Sequence, residues 1–189
     1  MYVLYTKLIY PFTSRLIRWG TRSDMRLMSF LGVDENFYVG LDDRRGSNIS
    51  CYATCCAAEG MRAASAILQD ISTEFTPVGK LKSVKRTLNE IKRNLPENFL
   101  WGGDHLLPVF LFVVIRAEIK NLGSEIHFIE DLMDSHLKNG ELGYMLITLK
   151  ASYYQIINET NWFYGLKQIH SITSYIFIFL LEFHSREYI

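Results

Sequence analysis

The run LLPVFLFVVIRAEI, residues 106–119, carries apolar side chains on every side of a helix. A surface helix shows one apolar stripe and one polar face, whereas a helix that is apolar all round must be enclosed by other elements. The uncharged part, Leu106 to Ile115, is well short of the roughly 20 residues needed to span a bilayer. The second apolar run, Tyr175 to Leu181, is shorter still. Neither is expected to cross a membrane, so the first predicts the buried centre of a helical bundle.

The rest of the chain supplies the surrounding helices. Thr76-Pro77 places a capping hydroxyl before a proline at the first helical position, and Leu81, Val84, Leu88, Ile91 and Leu95 then fall on one stripe until Pro96. Lys82, Lys85, Arg86, Lys92 and Arg93 occupy the opposite side, which reads as a solvated face in preference to a lipid or acidic-partner contact. Upstream, Gly60, Ala63, Ala64, Ile67, Leu68 and Ile71 recur at three- and four-residue spacing. They predict a helix over 52–72 with a small-residue face packed closely on a neighbour. Further helices are expected over 124–133 and 141–158, joined by a Lys138-Asn139-Gly140 turn. One or two short helices, interrupted by Pro11, are expected over 1–18, and Asp24 is expected to cap a segment ending at Leu31-Gly32. The loop is GLDDRRGSNIS, residues 40–50. Alternation of the strand type is sustained nowhere, so the fold class is an all-α compact bundle with a central buried helix.

Composition narrows the partners. Hydrophobic residues make up 49% and charged residues 21% of the 189, enough to build a core and unlike a disordered chain. Twenty basic side chains balance twenty acidic ones, so no global field draws the chain to nucleic acid or an anionic surface. Cys51, Cys55 and Cys56 are odd in number and crowded, a poor disulfide framework that suits a reducing compartment. They lack paired C-x-x-C spacing and the five histidines do not gather beside them, so no metal is expected. A Cys-His hydrolase built on His127 or His136 has nothing to fix its geometry. The N-terminus lacks the charged start, apolar centre and cleavage site of a signal peptide.

Three segments carry a resemblance. Asp104-His-Leu-Leu-Pro108 opens the buried helix, NLGSEIHFIEDLMD follows about twenty residues on, and Gly140-Glu-Leu-Gly-Tyr144 turns into a third helix. Together they resemble the Vps-nine domain, with LMSFLGVDENFY, FTPVGKLKSVKRTLNEI and TLKASYYQI most similar to its alsin branch. The resemblance covers Leu27 to Ile157, and its motif core is 101–157. It implies a domain over 1–160 followed by a C-terminal helical extension, 161–189, where Ile172, Ile176, Phe179 and Phe183 fall at helical spacing. That extension is expected to pack back on the bundle in preference to a membrane-surface or oligomer contact.

The resemblance further implies a guanine-nucleotide exchange factor for a small GTPase of the Rab-five type, working without covalent chemistry or cofactor. The setting it implies is the cytoplasm, with peripheral recruitment to early endosomes. It gives Asp104 the role of an acidic finger directed at the phosphate and magnesium site of the GTPase. Pro108 and Tyr144 match positions lining the groove for the switch regions, with Leu107 and Ile147 beside them, and Glu141 is structural. His105 stands where many relatives carry a second acid, and Ile147 where many carry threonine. From the residues alone Asp104 is an ordinary helix cap, Tyr144 a half-buried core aromatic and Pro108 a first-turn proline. A catalytically silent module that binds a GTPase or an oligomer partner is the alternative.

Overall fold

The computed structural model describes residues 12–34, 37, 51–93 and 103–157, with 51–59, 103 and 104 described by their backbone alone. The expected loop over 40–50, the segment up to Pro11, Leu95 with Pro96, and the extension 161–189 lie outside the described residues. So do the side chains of the three cysteines.

Seven helices make up the bundle among the described residues, and none of those residues forms a strand. They are α1 (12–20), α2 (Asp24–Leu31), α3 (Cys51–Gln69), α4 (Pro77–Arg93), α5 (Gly103–Ala117), α6 (Leu122–Leu132) and α7 (Glu141–Ile157). Short 3-10 turns, Asp70–Ser72 and Ser135–Asn139, follow α3 and precede α7. No helix among the described residues is long and apolar enough to cross a membrane.

Helix α5 occupies the centre, packed on α2, α3 and α7. Every residue from Val109 to Ile115 is at most 3% exposed, as an all-apolar helix requires. Burying a leucine, valine or phenylalanine side chain contributes about 1.5–3 kcal/mol, so this segment is the main apolar anchor of the bundle. On α4, Leu81, Val84, Leu88 and Ile91 are buried as their spacing predicts. The Thr76 hydroxyl accepts the Gly79 N–H at 3.0 Å, the expected cap. Small residues let α3 approach closely, with Ala64 and Leu68 fully buried against α4 and α5.

Three local expectations are corrected. Helix α6 starts at Leu122, two residues before Ser124, because the Asn121 carbonyl already accepts the N–H groups of Ser124 and Glu125. Asp24 does not cap α2: Ser23 holds the cap position, and Asp24, the first helical residue, pairs with Arg116 at 2.5 Å. Pro108 is the sixth residue of α5 and lies inside the helix rather than in its first turn.

Three cations of the basic face of α4 meet the protein's own acids. Lys85 reaches Glu141 at 2.7 Å, Arg86 lies near Asp70 and Glu74, and Arg93 pairs with Glu90. Exposed pairs of this kind add little stability.

Candidate functional site around the start of the central helix

Asp104 is the second residue of α5, where unpaired backbone N–H groups and the helix dipole favour a carboxylate. Four residues on, Pro108 has no N–H to offer the Asp104 carbonyl, so the first turns of α5 are held by fewer backbone bonds than its centre. The helix tolerates the proline because the neighbouring side chains are buried on either side: Leu107 is 4% exposed and Val109 1%, with Pro108 itself half-buried.

His105 is half-buried, and its Nδ1 lies 3.6 Å from the Asp34 carboxylate, just beyond α2. His105 thus faces an acid supplied from another part of the chain. That contact is a salt bridge only while the imidazole is protonated.

The second wall comes from α7, which packs on α5. Its start explains the Gly-Glu-x-Gly-Tyr pattern atom by atom. Gly140 holds the cap position in extended backbone, and its carbonyl accepts the Tyr144 N–H at 3.1 Å. Glu141 is the first helical residue, complementing the helix dipole and reaching across to Lys85 on α4. Gly143 passes against the preceding 3-10 turn so closely that a Cβ would sit 1.8 Å from the Lys138 carbonyl oxygen. Any side chain there would push the start of α7, and Tyr144 with it, off the bundle.

Tyr144 is 9% exposed and packs into the core. Burial pushes its phenol above the ordinary tyrosine range, opposed in part by the Thr148 hydroxyl one turn on. Ile147, three residues along, is 42% exposed. Residues three apart share a helix face, so Tyr144 and Ile147 form the inner and outer parts of one ridge. Of the four predicted contact residues, then, Ile147 is open, Pro108 half-open, and Leu107 and Tyr144 are underneath.

Two polar clusters that the sequence reading did not pick out hold this arrangement in place. Lys80 is 4% exposed, and its ammonium donates to the Ile71 carbonyl and pairs with Glu125 of α6, both at 2.6 Å. It stands 5.3 Å from the centre of the Phe128 ring. Its signal was present, since Lys80 falls on the same helical face as Val84, Thr87 and Ile91. At the far end of α5, Arg116 donates to the carbonyls of Gly20 and Arg22, both at 2.7 Å, besides pairing with Asp24. Lys150 on α7 pairs with Glu130 on α6, and Gly123 lets α6 approach the Tyr153 hydroxyl. Among the described residues no group of three or more His, Cys, Asp or Glu is placed to hold a metal ion.

Residues 61–161 match the Vacuolar sorting protein 9 (VPS9) domain. Alsin of Homo sapiens is 45% identical over 151 residues, which cover 76% of this chain and 9% of alsin. The ALS2 C-terminal-like protein of Homo sapiens is 34% identical over 142 residues, 72% of this chain and 14% of that protein. The chain therefore spans a small part of the length of the curated relatives it matches. No solved structure matches it. A domain match running from α3 through α7, over more than half of the chain and across every segment that builds the α5 and α7 walls, means that the chain belongs to the VPS9 domain family.

Proposed function

We propose that this domain is a guanine-nucleotide exchange factor for a small GTPase of the Rab-five type. The observation that carries the reading is Asp104 in the first turn of α5, four residues ahead of a helical proline, in a chain of the VPS9 family. A GTPase holds its nucleotide with a P-loop lysine on the phosphates and a magnesium ion bridging their oxygens. A carboxylate introduced there repels the phosphates, competes for the lysine and disfavours the metal, so GDP leaves without any bond being made or broken. Asp104 is the group that does this. Ile147 and Pro108 take the apolar parts of the switch regions, over a floor of Leu107 and Tyr144.

The same reading assigns 1–160 to the exchange domain and 161–189 to a C-terminal extension. It places the protein in the cytoplasm with recruitment to early endosomes, through its GTPase partner or through self-association. A second reading, a catalytically silent module that binds a GTPase or another copy, is favoured by two observations. Tyr144 lies largely beneath the surface, and His105 stands beside Asp34 where a second acid would be.

The test is release of a fluorescent GDP analogue from a purified Rab-five GTPase, with wild-type chain and with Asp104→Ala. Acceleration that disappears in the variant supports the exchange reading. Binding without acceleration by the folded wild type supports the silent module.

A further inference from the structure

Of the 17 residues of α7, Ile147 and Tyr154 stand exposed, at 42% and 45%, and the rest are buried or half-buried. The outward face of a surface helix ordinarily carries charged and polar side chains. Here both open positions hold large apolar bodies. Seven residues are almost two whole turns, so Tyr154 lies within about 20° of Ile147 around the helix and about 10.5 Å further along it. Ala151, half-buried, stands between them on the same side, four residues from one and three from the other. A small side chain between two large ones leaves a notch over Ala151.

This strip has no charge to offer. The charged residues of α7 are Glu141 and Lys150, and each is matched on another helix, by Lys85 of α4 and Glu130 of α6. A lipid surface is recognised by basic side chains set beside apolar ones, so the strip suits a protein surface instead. The Tyr154 ring is also held in place. It meets the Tyr153 ring edge-on, with centroids 5.7 Å apart and planes at 68°. Tyr153 is itself fixed: it is 5% exposed, the Phe12 ring lies at 4.8 Å, and its hydroxyl fills the space that Gly123 leaves. An aromatic side chain already supported in this way loses little freedom when a partner covers it, and tyrosine is among the residues that most often dominate interface energy.

We propose that Tyr154 is a further contact residue for the small GTPase, carrying the contact surface two turns along α7 beyond Ile147. The inference rests on the exchange-domain reading, in which Ile147 takes an apolar part of the switch regions. The occupant of the notch is an uncharged, apolar side chain of the GTPase. A GTPase that presents a charge there finds no countercharge on α7 and is disfavoured. Tyr154 thus bears on which GTPase is accepted, while Asp104 acts on the nucleotide.

Release of a fluorescent GDP analogue from a purified Rab-five GTPase is followed at rising concentrations of the full chain, wild type beside Tyr154→Ala, Tyr154→Phe and Asp104→Ala. Binding of the nucleotide-free GTPase is measured in parallel by calorimetry. Tyr154→Ala is expected to raise the half-saturating concentration and weaken binding about tenfold or more, with the limiting rate and the melting temperature unchanged. Tyr154→Phe, which keeps the ring, is expected to match the wild type, and Asp104→Ala to lower the limiting rate. Acceleration lost in Asp104→Ala but untouched by Tyr154→Ala would overturn the contact and leave the exchange reading standing. Binding without acceleration, weakened by Tyr154→Ala, would overturn the exchange reading and leave the contact standing. The contact also falls if the wild type binds no GTPase, if Tyr154→Ala lowers only the limiting rate, or if its sole effect in sedimentation is to dissolve a dimer of this chain.

Discussion

The two ends of α5 are built on opposite plans. Its C-terminal end is tied down, with Arg116 donating to two backbone carbonyls from the α1–α2 connection and pairing with Asp24. Its N-terminal end carries an acid in the first turn, a proline that withholds a backbone bond, and the half-exposed His105 to Asp34 contact at 3.6 Å. One end of the helix sets its position in the bundle and the other presents side chains. On the exchange reading, this division lets a helix fixed at one end aim a carboxylate placed at the other.

Five substitutions, one of them read by an alkaline titration, press on that contrast. The largest effect is expected from Lys80→Ala. It leaves Glu125 as an uncompensated, largely buried charge and should lower stability by about 3–5 kcal/mol in denaturant unfolding. A change below about 1 kcal/mol would mean that the pair does not hold α4 and α6 together. Gly143→Ala drives a methyl group into the Lys138 carbonyl, which cannot give way as a flexible side chain would. A loss of about 3 kcal/mol is expected, with exchange activity lost alongside it.

Asp104→Ala should do the reverse. The GDP release rate should fall about a hundredfold, the scale on which one preorganised electrostatic group acts. Stability should change by no more than about 1 kcal/mol, the worth of an acid at a helix start. An unfolded Asp104→Ala protein would break the distinction between the presenting and the anchored end. Asp34→Asn is expected to cost less than about 1 kcal/mol in denaturant unfolding, since the pair is partly exposed. A larger loss would mean that the contact anchors the start of α5 and does not merely lie beside it.

The smallest effect is alkaline. Burial holds the phenols of Tyr144 and Tyr153 above their ordinary value of 10.0, with Tyr154 adding to the shift at Tyr153. The folded state then keeps its phenolic protons more tightly than the unfolded state. The resulting stability is present below pH 10.0 and is lost as pH rises beyond it. Tyr153→Phe should flatten the fall of the melting temperature in that range.

Much of this bundle was readable in the chain because helix position and core face depend on local spacing. The α4 stripe, the Thr76 cap and the all-round apolar α5 follow from period and from the chemistry of caps, and each stands in the structure where its spacing puts it. The ordered Asp104, Pro108 and Tyr144 motif was readable too, through resemblance rather than periodicity. Where local signals compete, the reading slipped. Asp24 looks like a cap until Arg116, far away in sequence, offers it a stronger partner.

Other features had no local signature. That Leu107 and Tyr144 lie beneath the surface while Ile147 stands open depends on how α5 and α7 meet, and no single helix contains that information. The engagement of the α4 cations with Glu141, Asp70 and Glu74 likewise required the tertiary arrangement. The sequence by itself determined an all-helical chain with one enclosed helix and an acid at its start, because backbone propensity and side-chain period act over a few residues. Tertiary structure alone decided which charges neutralise one another and which glycines are obligatory. Those outcomes are set by distances between residues far apart along the chain, and electrostatics and steric contact depend on distance in space.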